Sequence, residues 1–245
     1  MFKVKHFILL SLLIAVSFCL TGCVKYEVNI TLDRNGNAQV TDIGLISDEL
    51  LEFVGDKVNP SNIEKMQEEN PDVTFEKYED EGYTGLKAMY AVKNIDKNEL
   101  FKQGTIFNDY VKSNTDSDKM VNVHKGLFVT NYEIDWIVDY SISPETGKRD
   151  TDFLKAVKSK IVINIPAKAK ENNATRVEND GHTYVWVYDT STPENSIILK
   201  YSVFNILNIL LCFLLIAIFA VISILLVRKN AKNNNEHANT NNEEE

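Results

Sequence analysis

Cysteine is almost missing from this 245-residue chain. There are three, Cys19, Cys23 and Cys212, and none lies between Val24 and Lys200. A disulfide framework needs several cysteines in the part that folds, so that class of small secreted scaffold is excluded. Zinc and redox readings fall for the same reason: there is no CxxC pair, and the four histidines are far apart in the sequence. No GxSxG, Walker loop, HExxH or GxGxxG occurs either. Basic charge is also scarce. With Lys3, Lys5, Arg228, Lys229 and Lys232 set aside from the 26 basic residues, and Glu236 and Glu243–Glu245 from the 35 acidic ones, residues 23–200 carry 21 against 31, a net of −10. Such a segment does not suit a nucleic-acid binder, nor a protein that holds anionic lipid by charge.

Two apolar runs stand out against this background. The first, "FILLSLLIAVSFCL" (Phe7–Leu20), follows a basic start with Lys3 and Lys5. It has the length of a signal-peptide core and is short for a membrane span. It ends in Leu20-Thr21-Gly22-Cys23, which resembles the lipobox of bacterial lipoproteins: a leucine, two small residues, then cysteine. The resemblance implies a diacylglyceryl group on the Cys23 thiol and cleavage between Gly22 and Cys23. The chemistry is reasonable, since a thiol is a good nucleophile and small residues let the backbone enter a peptidase cleft. The alternative is a buried structural cysteine behind an uncleaved anchor.

The second run lies near the C-terminus. From Ile206 to Val227 only Asn208 and Ser223 are polar. That is about 22 residues or roughly 33 Å of helix, enough to cross a bilayer with slight tilt. Arg228, Lys229 and Lys232 follow and mark the cytoplasmic side. A buried core helix is the competing reading, but a soluble helix apolar on every face is improbable. A lipidated Cys23 and a span with its basic flank inside place residues 23–200 outside the cell membrane, tethered at both ends. A single acyl chain is a marginal anchor and a span is not, so the lipid serves positioning more than attachment. The resulting organisation is a signal peptide (1–22), an extracytoplasmic domain (23–200), a transmembrane helix (203–227) and a disordered cytoplasmic tail (228–245). The tail, "NNNEHANTNNEEE", is too polar to order itself.

The domain reads as α+β: antiparallel hairpins with a few short helices. "VKYEVNITL", "DRNGN" and "AQVTDIGLI" form a hairpin with Val24, Tyr26, Val28, Ile30 and Leu32 on one face. It starts one residue after the lipid cysteine. Two helices are predicted next, one with Ser47 as N-cap and one with a capping box of Ser61 and Glu64. "DVTFEKYED-EG-YTGLKAMYAVKN" reads as a second hairpin. A third turns near Lys125-Gly126, with Phe128, Thr130, Tyr132, Ile134, Trp136 and Val138 sharing a face. "TDFLKAVKS" reads as a short helix, and "KIVINIP", "TRVENDGHTYVWVYD" and "SIILKYSV" as a strand-rich end, with Pro166 at a strand end.

Little chemistry rises above this framework. "DRNGNA" places Asp33, Asn35 and Asn37 at calcium-loop spacing, but Gly36 is two positions early, Ala38 holds the sixth position, and Gly44 stands where the closing glutamate belongs. A hairpin turn explains these residues better. His124 and His182 each sit in turns. Glu133, Asp135 and Asp139 offer a carboxylate pair of the kind glycosidases use, or simply the solvated face of a strand. Trp136, Trp186, Tyr184 and Tyr188, with Phe128 and Tyr132, are either the core of a sheet or the lining of an apolar pocket.

The lipobox, the immediate hairpin "CVKYEVNITLDRNGNAQVT", the late segment "IPAKAKENNATRVENDGHTYVWVYD" and the single C-terminal span together resemble the LppM-type bacterial lipoproteins. The likeness covers Cys23 to the span. It implies an α+β extracytoplasmic domain engaged in interaction or ligand binding, and supplies no catalytic residues. The expected function is therefore that of a non-enzymatic surface lipoprotein, with no cofactor and no metal beyond the lipid on Cys23. Its partners would be the bilayer, a lipid or envelope component, or a membrane protein met through the span, where Asn205 and Asn208 could bond a partner helix. The alternative is an extracytoplasmic, envelope-processing hydrolase using acidic residues. A concave site with two close carboxylates or a strongly shifted histidine would favour it.

Overall fold

The computed structural model of the chain describes residues 23–54, 60–96, 100, 111–113, 120–139, 157–188 and 194–240. The signal segment 1–22 and the cleavage site predicted there lie outside the described residues. The chain divides into two units, Met1–His124 with Asn131–Val203, and Lys125–Thr130 with Phe204–Glu245. The architecture is α+β, with two mostly antiparallel sheets and few helices.

The first unit is built on alternation. Strand β1 (Val24–Leu32) buries Tyr26, Val28, Ile30 and Leu32 and turns the residues between them outward. It pairs antiparallel with β2 (Ala38–Ser47), from Val24 opposite Ile46 to Leu32 opposite Ala38. Helix α1 (Asp48–Val54) follows, and the Ser47 hydroxyl accepts the Leu50 N–H at 3.4 Å, the predicted N-cap. Helix α2 spans Pro60–Glu69. It begins one residue before the predicted capping box, because Pro60 already supplies helical φ and needs no N–H at the first position. Ser61 therefore lies inside the first turn.

Strands β3 (Thr74–Asp80) and β4 (Tyr83–Val92) form the second predicted hairpin. Its two-residue loop, Glu81-Gly82, has φ of 42° and 80°, the left-handed pair whose twist suits adjacent strands. Gln67 docks α2 onto it: its side chain donates to the Val73 carbonyl at 2.5 Å and accepts the Phe75 N–H at 3.1 Å. Next come β5 (Val111–Ser113), β6 (Asn122–Lys125), β7 (Val129–Asp139) and β8 (Val157–Asn164). Val157–Ser159 are thus strand, where a short helix was expected. As part of β8 they pair with Val24–Tyr26, so tertiary pairing overrides the local helical pattern. Strands β9 (Ala169–Asn172), β10 (Arg176–Glu178), β11 (Thr183–Tyr188) and β12 (Glu194–Phe204) complete the domain.

The larger sheet has the order β10-β11-β8-β1-β2-β4-β3, and the smaller β5-β7-β12-β9 with β6 on β7. β1 and β8 run parallel. Both sheets feed one core, with Val28 and Ile30 from β1, Ile161 and Ile163 from β8, Ile134 and Trp136 from β7, and Ile197 and Leu199 from β12. Each such side chain contributes roughly 1.5–3 kcal/mol on burial. On the outer face of the larger sheet, Glu27 pairs with Lys160 at 2.9 Å and Glu76 with Lys87 at 2.7 Å, each directly across the ladder.

In the second unit, helix α3 runs Ile206–Thr240. Its stretch Ile206–Arg228 is long and apolar enough to cross a membrane, and none of it is buried. The helix passes Arg228, Lys229 and Lys232 and continues to Thr240, where a disordered tail was expected from residue 228. Extending a formed helix adds a hydrogen bond per residue without a second nucleation step, and Ala, Lys and Glu favour it.

Candidate functional site

The aromatic side chains singled out from sequence are packed inside the first unit. Trp136, Trp186, Tyr184 and Tyr188 all belong to the buried core, on two different sheets. The polar atoms of Trp136, Tyr184 and Trp186 are used. The Trp136 indole N–H donates to the Met120 carbonyl. The Tyr184 hydroxyl donates to the Gly181 carbonyl and accepts the Ala169 N–H, both at 2.8 Å. Asn173 links the sheets: its Oδ1 accepts the Trp186 indole N–H and the Ile198 N–H, both at 2.8 Å. Phe128, by contrast, leaves the inward face of β7 and is exposed. It precedes the strand, so strand alternation does not reach it.

Of the candidate acids, Glu133 serves as an ion-pair partner. Lys200 Nζ lies 2.9 Å from Glu133 and 3.2 Å from Glu171. Those two carboxylates, first through their hydrogen bonds, hold the Lys200 ammonium above its ordinary pKa. The Asp139 side chain lies outside the described residues. The His182 ring Nδ1 sits 3.1 Å from the Ile165 carbonyl and helps close a turn. His124 lies on β6. Cys23 is half-buried at the head of β1, and its carbonyl accepts the Ser47 N–H at 2.7 Å.

Asp33 organises the first hairpin turn. Its carboxylate accepts the N–H groups of Asn35 and Asn37 at 2.8 Å and the Asn37 side-chain amide at 2.7 Å. Burial works to raise its pKa, but the bonds from Asn37, Asn35 and Gly36 together lower it below the ordinary 3.8. A lowered folded-state pKa stabilises above the unfolded value, and the effect is lost as pH falls through the folded one. In urea denaturation across pH, the stability gap between the parent and Asp33→Asn should be constant above about pH 5 and shrink below it. A gap that widened with acid would contradict the turn geometry. Gly36, at φ +80°, brings this turn to the Tyr132 hydroxyl. Tyr132 stacks on Tyr201 with ring centroids 4.8 Å apart. Burial first, then nearby negative charge, pushes both phenols upward.

The second unit holds a different kind of site. The tip between β6 and β7 is closed by Gly126 N–H donating to the Val129 carbonyl at 2.9 Å. A Cβ on Gly126 would meet that same carbonyl oxygen at 2.7 Å, which is why glycine stands there. Asn205 is the residue before α3, and its carbonyl accepts the Ile209 N–H at 3.1 Å. Its side chain donates to the Gly126 carbonyl at 2.8 Å and accepts the Thr130 hydroxyl at 3.0 Å. Asn208, one turn on, donates to the Leu127 carbonyl at 2.8 Å. From sequence these amides could bond a partner helix or be interfacial; here they bond the chain's own turn. The available signal was the pair itself, two asparagines at the mouth of an otherwise apolar run.

No protein-family model matches the chain, and no curated protein matches it. Among solved structures, the folded domain of the Mycobacterium tuberculosis LppM protein, determined by NMR, is similar, with a TM-score of 0.45 and 12% sequence identity. The match covers 76% of this chain and 92% of that one.

Proposed function

We propose that the chain is a membrane-anchored extracytoplasmic lipoprotein that works by binding a lipid or other envelope component beside the bilayer, and not by catalysis. The observation that carries this reading is the junction at Asn205. Strand β12 ends at Phe204 and α3 begins at Ile206, so one residue separates the sheet from a long apolar helix with no buried residue in its apolar stretch. A domain joined without a spacer works on what lies at the membrane. The absence of a linker at the other end agrees, since β1 begins at Val24, one residue after the cysteine that would carry the diacylglyceryl group. In this reading Arg228, Lys229 and Lys232 hold the C-terminus in the cytoplasm. The non-catalytic part is supported by Glu133, which is engaged by Lys200.

Native mass spectrometry of the full chain, released from nanodiscs of envelope lipid, tests the binding role. A retained adduct of defined lipid mass is expected. An empty chain, or one carrying a protein subunit in place of lipid, would sink it. The anchor has its own test, in the intact mass of chain extracted from membranes. The parent should begin at Cys23 with the mass of a diacylglyceryl group, and Cys23→Ser should keep Met1. A parent with Met1 in place would refute the processing.

A further inference from the structure

The β6–β7 tip poses a physical problem. Leu127 and Phe128 are 68% and 42% exposed, and Phe204, Ile206 and Leu207 of the same unit are exposed too. Two large apolar side chains at the end of a tight hairpin gain nothing from water. The carbonyls of Gly126 and Leu127 would in turn forbid burial in lipid, because an unsatisfied backbone group costs several kcal/mol there. Both carbonyls are satisfied by side chains at the start of the apolar helix: Asn205, just before it, takes Gly126, and Asn208, in its first turn, takes Leu127. The Asn205 backbone N–H also donates to the Phe128 carbonyl at 2.8 Å. The tip is therefore apolar outside, hydrogen-bonded inside, and fixed to the first turn of the span. Lys125, at its base, suits the headgroup level.

We propose that Leu127–Phe128 is a lipid-inserting tip, dipping into the bilayer interface beside the start of the membrane helix. The occupant of this apolar surface is lipid, because Asn205 and Asn208 bond the tip to the start of the span. This rests on the reading of Ile206–Arg228 as a membrane span. The amides of Asn205 and Asn208 make insertion possible by relieving the turn's carbonyls, which explains two polar residues where an apolar helix begins.

The test uses the full chain in vesicles containing acyl-brominated phosphatidylcholine, with tryptophan placed at Leu127 or, separately, at Leu214. The native Trp136 and Trp186 are 0% and 3% exposed, so their emission is a background that subtracts. Leu127→Trp should be blue-shifted and lose roughly half its emission to bromines on upper acyl carbons, the depth an interfacial element reaches. Aqueous iodide should leave it bright. Leu214→Trp should be quenched by bromines deeper in the chain. Quenching of Leu127→Trp by iodide, or by neither agent, would overturn the proposal, the second result meaning that a second copy covers the tip. A Leu214→Trp variant that bromine fails to quench would remove the span, and the proposal with it.

Discussion

Gly85→Ala is expected to prevent the first unit from folding. A Cβ at Gly85 would lie 1.9 Å from the Gly44 carbonyl oxygen, 2.8 Å from the Leu45 Cα and 2.9 Å from the Gly44 carbonyl carbon. All three are backbone atoms of β2, so no side chain can swing aside. The strands pair in continuous register here, with Leu45 opposite Gly85 and Gly44 opposite Leu86. Relief requires β2 and β4 to part, and β4 carries β3 with it. Overpacking alone costs about 1–3 kcal/mol. Each ladder bond opened adds about 1 kcal/mol. The total approaches the roughly 5–15 kcal/mol that holds an ordinary domain together. The comparison is Gly82→Ala, where the new Cβ meets nothing within 4 Å and only the φ of +80° resists. That change should cost about 1 kcal/mol. Yield and circular-dichroism melting of the detergent-extracted full chain separate the two. A Gly85→Ala chain that melted with Gly82→Ala would mean that β2 and β4 are not in this register.

What the sequence made legible follows from distance along the chain. The hairpins Val24–Ser47 and Thr74–Val92 are written in local alternation and in turn residues, Asp33 to Asn37 and Glu81-Gly82, and both stand as read. The parallel pairing of β1 with β8 joins Val24 to Val157. Nothing within either strand marks the other, and a helical pattern at Val157–Ser159 points away from it. The need for glycine at position 85 arises only when β2 lies beside it. Phe128 continues the even-numbered alternation of Thr130 to Val138 but sits on the turn, where alternation has no meaning. The long apolar helix was legible as an apolar run, because length and composition alone mark it. The use of Asn205 and Asn208 was not, since their acceptors are carbonyls about 80 residues away in sequence, and carbonyls carry no sequence signature.

The aromatic residues leave a choice between packing and pocket that one substitution decides. Trp136 is 0% exposed on the central part of β7, with its indole N–H spent on the Met120 carbonyl. If it is core, Trp136→Ala removes a large apolar surface and leaves a void between the sheets, at a cost of about 3–5 kcal/mol. For a domain of this size each kcal/mol lowers Tm by about 2–4 °C, so a fall on the order of 10 °C is expected. Trp136→Phe should recover part of that loss, because a ring is kept while one hydrogen bond, worth about 1–3 kcal/mol when its partner is left buried, is not. A pocket wall behaves oppositely. Truncating a side chain that borders an open cavity removes few contacts, and the melt would stay within about 2 °C of the parent, as surface changes do. The first outcome takes the interior of the first unit out of the search for a ligand site. The proposed lipid contact would then be sought on the outside of the protein, where the second unit exposes its apolar residues.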